Sequence, residues 1–269
     1  MKEYFVSRNG LLLLLVATYA LLPYVNSSFN KRGIAWPLEN RHDSPNLFAR
    51  GKIKWFYNWS SDKRSTNNLE FVSMFWSIKN EHPQQFVKKV LAQDAKVILG
   101  FNEPERGEQA NMNPIEAARI WKRYIEPLRR QGIRLGSPSV ASTEAGVKWL
   151  KEFLNQGCKI DFLALHWYGQ GVDNFIKYIT ETRQQIGSNY PVLVTEFACT
   201  SWKSNQPVSQ NEINEFFQQS INRLDRIDWI ERYAWFGAMR YLSPDLGIGN
   251  RLINDNGQLS DLGKKYVYG

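Results

Sequence analysis

The sequence is sparing with the residues that build metal and redox centres: two cysteines, three histidines and four methionines in 269 residues. The histidines, at 42, 82 and 166, show no ligand spacing, so neither a metal nor another cofactor is expected. No repeat, low-complexity tract or linker-like stretch interrupts the chain, which argues against a solenoid or tandem array. Blocks of basic residues are missing too. The formal net charge is +8, yet Lys and Arg are scattered, as in Lys88-Lys89, Lys122-Arg123 and Arg129-Arg130. No basic run interleaves with exposed aromatic residues. The charge reads as a solvated basic surface, and no nucleic-acid partner is expected.

The longest apolar run, 11–22, is short for a membrane span, which takes about 20 residues. Lys2 and Arg8 precede it and the more polar stretch 23–28 follows. Residues 1–28 therefore read as a secretory signal peptide or an uncleaved signal anchor. A secreted, periplasmic or cell-surface location follows, with membrane contact only if the anchor is retained. Residues 29–269 are long enough for one large domain with a full core. A monomer is expected.

Eight strand-like runs can be counted, at 33–36, 53–58, 70–76, 97–103, 134–138, 162–168, 192–197 and 233–239. Several are unbroken apolar runs, as expected for parallel strands buried on both faces. Helical patterns separate most of them. Residues 83–94 carry Phe86, Val90 and Leu91 on one face. Asn113 reads as an N-cap ahead of Pro114 and Glu116, opening a helix toward 130 that Pro127 should interrupt. Helices are expected over 143–155 and 173–186; Ser209 with Glu212 forms a capping box, and Ser260 opens a last helix. This alternation implies an α/β fold, and eight strands make it a (β/α)8 barrel. The connection 59–69 is too short for a crossover helix, so the second helix should be reduced or missing. Cys158 and Cys199 then fall at opposite strand ends, about 20 Å apart, too far for a disulfide. Two free thiols are expected.

Active sites of such barrels lie at the C-terminal ends of the strands. Those ends bring Asn58, Trp76, Asn102, Glu103, His166, Tyr168, Glu196 and Trp235 into consideration. Two carboxylates, at the fourth and seventh strands, on a bed of Trp and Tyr are what glycosidic cleavage requires. One protonates the departing oxygen, and the other attacks the anomeric carbon or activates water. Glu103 shares strand parity with Val97, Leu99 and Phe101, and Glu196 with Val192 and Val194, so each could cap an inward apolar stack. Asn102 has the opposite parity to Glu103, so both can serve only if the strand bends at its end. Glu105 and Glu144 are rivals for the acid role. Trp55, Trp121, Trp149 and Trp229 read as packing, and Trp202 as a possible rim residue.

The segments Gly100-Phe101-Asn102-Glu103-Pro104, Gly136-Ser137-Pro138, Asp161 through Tyr168, Val194-Thr195-Glu196-Phe197 and Tyr233-Ala234-Trp235-Phe236 together resemble glycoside hydrolase family 128. These are clan A endo-β-1,3-glucanases with a glycosyl hydrolase catalytic core. The likeness runs over about 32–268. It implies a β-glucan polysaccharide or oligosaccharide substrate and a retaining mechanism, with Glu103 as acid/base and Glu196 as nucleophile. It further implies that Asn102 holds the 2-hydroxyl, that His166 and Tyr168 orient nucleophile or substrate, and that Trp235 forms an aromatic floor. Retention implies carboxylates about 5–5.5 Å apart. It also calls for a Glu103 pKa raised by burial and by the charge of Glu196, and a hydrogen bond from Tyr168 to Glu196.

Overall fold

The computed structural model describes residues 31–203 and 206–269; the expected signal or anchor segment, 1–28, lies outside them. All eight expected runs become parallel strands. They are β1 (Arg32–Ala35), β2 (Trp55–Tyr57), β3 (Glu70–Phe71) with β4 (Ser73–Met74), β5 (Val97–Leu99), β6 (Arg134–Leu135), β7 (Leu163–Gly169), β8 (Val192–Cys199) and β9 (Ile230–Trp235). β3 and β4 are halves of one run, separated by Val72: the first pairs with β2, the second with β5. The ladders run β3-β2-β1-β9-β8-β7 and β4-β5-β6. A bridge between Gly136 and Phe162, with Ser137 N–H donating to the Phe162 carbonyl at 3.0 Å, joins β6 to β7. The result is a (β/α)8 barrel.

The helices are α1 (Pro83–Ala92), α2 (Pro114–Ile120), α3 (Glu144–Asn155), α4 (Val172–Ile186), α5 (Gln210–Arg226) and α6 (Asp261–Tyr268). Their starts follow the sequence signals. Asn113 accepts from the amides of Ile115 and Glu116, and Ser209 with Glu212 closes the reciprocal capping box. After α2 the chain passes through a π turn, Trp121–Ile125, and a 3-10 turn, Glu126–Gln131, that holds Pro127. Proline has no amide hydrogen to continue an α ladder, so the helix is interrupted where expected. The second helix is missing. The first is missing too, which the sequence reading did not anticipate: between β1 and β2 only a 3-10 turn, Pro45–Phe48, is formed.

Alternation along the strands divides the core into two layers. Ala35, Trp55, Tyr57, Met74, Val97, Leu99, Phe162, Ala164, Leu193 and Ala234 fill the barrel interior. Ile34, Phe56, Ile98, Leu163, Leu165, Val192, Val194, Tyr233 and Trp235 pack outward against helices and loops. In the interior large aromatics lie beside small residues, Trp55 beside Gly33 and Tyr57 beside Ala35. Gly33 is required for this: a Cβ there would lie 2.2 Å from the Trp55 ring. Cys158 and Cys199 are both buried free thiols, as expected. Among the described residues no helix is long and apolar enough to cross a membrane.

Candidate active site

A cleft of about 660 Å³ opens at the C-terminal ends of the strands. Glu103 and Glu196 lie in its floor, both almost fully buried. The bend that Asn102 and Glu103 need is present. Alternation holds through Val97 and Leu99, which face inward, but Phe101 packs in the outer layer, so Glu103 does not continue that stack. Beyond Gly100 the chain turns, and Glu103 takes a left-handed φ of 38°. Its amide donates to the Ser139 carbonyl at 2.7 Å, and Asn102 bridges to Ser139. The turn lets two adjacent side chains reach the same cleft.

Glu196 arrives by a different irregularity. Val192 and Val194 face outward, so the inward stack expected beneath it does not exist. On the β7 side Leu165 pairs with Val194 but His166 pairs with Glu196, leaving Thr195 as the extra residue of a bulge. The β9 ladder shifts over the same residues. The bulge turns Glu196 inward and Phe197 outward.

His166 links the two carboxylates. It is fully buried, with Nδ1 3.0 Å from Glu103 Oε1 and Nε2 3.4 Å from Glu196 Oε1. The three side chains each place one ligand-type atom within 4.8 Å of the others. They form the one cluster of three or more such groups among the described residues. Both ring nitrogens already face a carboxylate, so an ion held there would have to displace these contacts. Burial disfavours the charged imidazole, but the charge of Glu196, the hydrogen bond to Glu103 and its charge outweigh burial, and the His166 pKa is raised.

For Glu103 the direction is opposite to the sequence expectation. Burial pushes its pKa up. The hydrogen bond from His166, the charge of that ring and Arg106, whose Nη1 stands 3.5 Å from Glu103 Oε2, together hold it below the ordinary carboxylate value. The expectation counted burial and Glu196 but neither cation. Around Glu196 the donors are different. Tyr168 Oη donates to Oε2 at 2.7 Å, as expected. Tyr57 Oη and Trp59 Nε1 donate to Oε1 at 3.1 and 2.7 Å. Burial, then the charge of Glu196, raises both tyrosine pKa values well above 10, so they act as neutral donors.

Asn102, Asn58, Trp76 and Tyr168 all line the cleft. Asn102 Nδ2 donates to Gln109 Oε1 at 3.1 Å, and its buried Oδ1 has no protein partner. Asn58 holds its own turn instead, donating to the Asp62 carbonyl at 2.8 Å and accepting from Ser60. Trp235 is not an aromatic floor. By alternation it points outward, packs on Phe197 and Phe217, and donates its indole N–H to the Asn250 carbonyl. Phe236, one residue on, faces the cleft in its place. Trp202 is a rim residue, 62% exposed and edge-on to Tyr168. Glu105 lies outside the cleft with Oε1 accepting from the Ala141 amide, and Glu144 sits in the first turn of α3. Trp55, Trp121 and Trp149 are buried packing residues, and Trp229 is half-buried under Arg183. Sequence reasoning missed Tyr57, Trp59, Arg106 and Phe236. The inward parity of Trp55 and Tyr57 was the one available signal.

The model of the glycosyl hydrolase catalytic core matches residues 33–266. The chain belongs to glycoside hydrolase family 128. A family 128 subgroup VI exo-β-1,3-glucanase from Aureobasidium namibiae is 30% identical, with a TM-score of 0.79 over 90% of this chain and 97% of its own. A subgroup I endo-β-1,3-glucanase from Amycolatopsis mediterranei, in complex with laminaritriose, is 27% identical, with a TM-score of 0.70 over 88% of this chain and 98% of its own. Alkali-sensitive linkage protein 1 from Schizosaccharomyces pombe is 34% identical over 254 residues, 90% of this chain. The family 128 chain described here spans 45% of that relative's length.

Proposed function

We propose that this chain is a retaining β-1,3-glucan hydrolase in which Glu103 is the acid/base and Glu196 the nucleophile. The observation that carries the reading is the Glu103–His166–Glu196 cluster in the floor of an aromatic cleft. Ligand-type atoms of its carboxylates within 4.8 Å of each other suit direct attack. Inverting enzymes leave room for a water, with carboxylates about 6.5–9.5 Å apart. The solved relatives, β-1,3-glucanases, support the substrate class, and the laminaritriose complex supports a β-1,3-linked chain in the cleft.

The chemistry follows from the neighbours of each carboxylate. The Glu103–His166 pair titrates as a unit. Moving one proton from the ring to Glu103 converts imidazolium and carboxylate into neutral imidazole and carboxylic acid. Glu103 then gives that proton to the glycosidic oxygen while Glu196 bonds to the anomeric carbon and the C–O bond breaks. In the second step Glu103 takes a proton from water, whose oxygen displaces Glu196. Asn102, with its unpaired Oδ1, accepts a sugar hydroxyl, and Trp76 and Phe236 offer ring faces to the sugar. His166 and Tyr168 hold the carboxylates in place.

The solved relatives include both an exo- and an endo-β-1,3-glucanase; endo action, the expectation from sequence, belongs to this proposal, and so does a secreted or cell-surface location, carried by the signal-like 1–28. The test is reducing-sugar release from linear β-1,3-glucan by wild type, Glu103→Gln and Glu196→Gln, with products resolved by length. Wild type should release a ladder of oligosaccharides and both variants almost none. Full activity in either variant refutes the pair, and glucose as the sole early product refutes endo action.

A further inference from the structure

In a complete barrel a helix would follow β2. Here 58–69 form a turn and a loop, and Trp59 lies inside the turn that Asn58 holds. Its φ of 55° lies in the left-handed region that bulky residues rarely enter. The strain is held in place. Asn58 accepts from Ser60 and donates to the Asp62 carbonyl, and the Met74 amide donates to the Ser60 carbonyl at 2.9 Å. The strained backbone aims the indole into the cleft, packed against Tyr57 at 4.9 Å between ring centroids and edge-on to Phe236 at 5.9 Å. There Nε1 donates to Glu196 Oε1 at 2.7 Å, shorter than the 3.1 Å of Tyr57.

We propose that Trp59 is a positioning residue for the Glu196 carboxylate, and that the lost helix is what frees the chain to supply it. The inference rests on the reading of Glu196 as nucleophile. Glu196 sits on a bulge, where alternation alone does not fix the plane of its side chain. Tyr57 and Trp59 on Oε1 and Tyr168 on Oε2 pin both oxygens from two sides. An indole N–H is a donor only, so it stabilises negative charge without accepting a proton in return. Strain kept at such a point, held by the surrounding turn, is the pattern of pre-organisation.

The test compares wild type with Trp59→Phe, which keeps an aromatic ring and loses the donor. Substrates are laminari-oligosaccharides and 2,4-dinitrophenyl β-glycosides of laminaribiose, cellobiose and glucose, whose leaving group needs no acid. The variant should lose about tenfold to hundredfold in kcat, equally on both substrate types. KM should stay within about threefold, with cooperative unfolding preserved. Wild-type kcat on the dinitrophenyl substrates would overturn the proposal, because the donor would then be idle. A loss confined to the oligosaccharides would overturn it too, because Trp59 would then act through the leaving group. If wild type cleaves a dinitrophenyl glycoside but no β-1,3-glucan, the substrate reading fails while the Trp59 comparison still stands.

Discussion

The two carboxylates lie on one floor but keep different company. Glu103 is flanked by basic groups, His166 on one oxygen and Arg106 near the other. Glu196 is surrounded chiefly by neutral donors, Tyr57, Trp59 and Tyr168, with His166 at the longer distance. A cation holds the charge of a carboxylate, and an imidazolium can also return a proton to it. A phenol or indole of high pKa can only solvate charge. In the proposed mechanism the neighbours, rather than the glutamates themselves, therefore set which group moves a proton and which keeps a fixed charge for attack.

The largest effect should come from removing the fixed charge. Glu196→Gln should lower kcat by at least about 10⁴-fold on every substrate, because no other group can form the covalent bond. Glu103→Gln should cost about 10²–10⁴-fold on laminari-oligosaccharides, and much less in the glycosylation of a dinitrophenyl glycoside. Equal losses across both leaving groups would erase the distinction between the two sides.

Removing the link should affect stability as much as rate. His166→Asn leaves two buried carboxylates facing each other without the cation, a class of change worth about 3–5 kcal/mol. At about 2–4 °C per kcal/mol for a domain of this size, the melting temperature should fall by roughly 6 °C or more at pH 5.5. The pH dependence has a definite sign. The folded pKa of His166 is raised, so its contribution is fully present below its unfolded value of about 6.5 and is lost as pH rises through the folded value. The gap between wild type and His166→Asn should therefore narrow on going alkaline. A gap that widens would mean the buried ring is neutral.

The smallest effect concerns Arg106, which is part-exposed and so screened by solvent. Arg106→Gln removes a positive charge beside Glu103 and should raise the pKa of the Glu103–His166 pair. The alkaline limb of the kcat/KM profile should move to higher pH, by less than about one unit. A downward move would contradict the assignment of Arg106 to the acid/base side.

The barrel and the glutamate pair were legible in the sequence because each leaves a local mark. The buried strands read as apolar runs, helix starts carry caps, and Asn102-Glu103-Pro104 marks a strand end. Facing direction was not legible, because alternation fails where the site needs it to fail. Phe101 points outward after the turn at Gly100, and Glu196 points inward, opposite to Val192 and Val194, after the bulge at Thr195. Trp235 was misread for the converse reason: there alternation holds, and it carries the tryptophan away from the cleft and Phe236 into it. The contacts of Trp59 and Arg106 depend on loop geometry and leave no periodic signal. The Glu103 pKa was misjudged because His166, distant in sequence, is adjacent in the fold.

The central claim is that Glu196 bonds to the sugar and Glu103 serves it twice, as acid and then as base. The most direct measurement is proton NMR of the anomeric signals during the first turnovers of a laminari-oligosaccharide. The account predicts that the β-anomer forms first and then mutarotates. An α-anomer as the first product would contradict it.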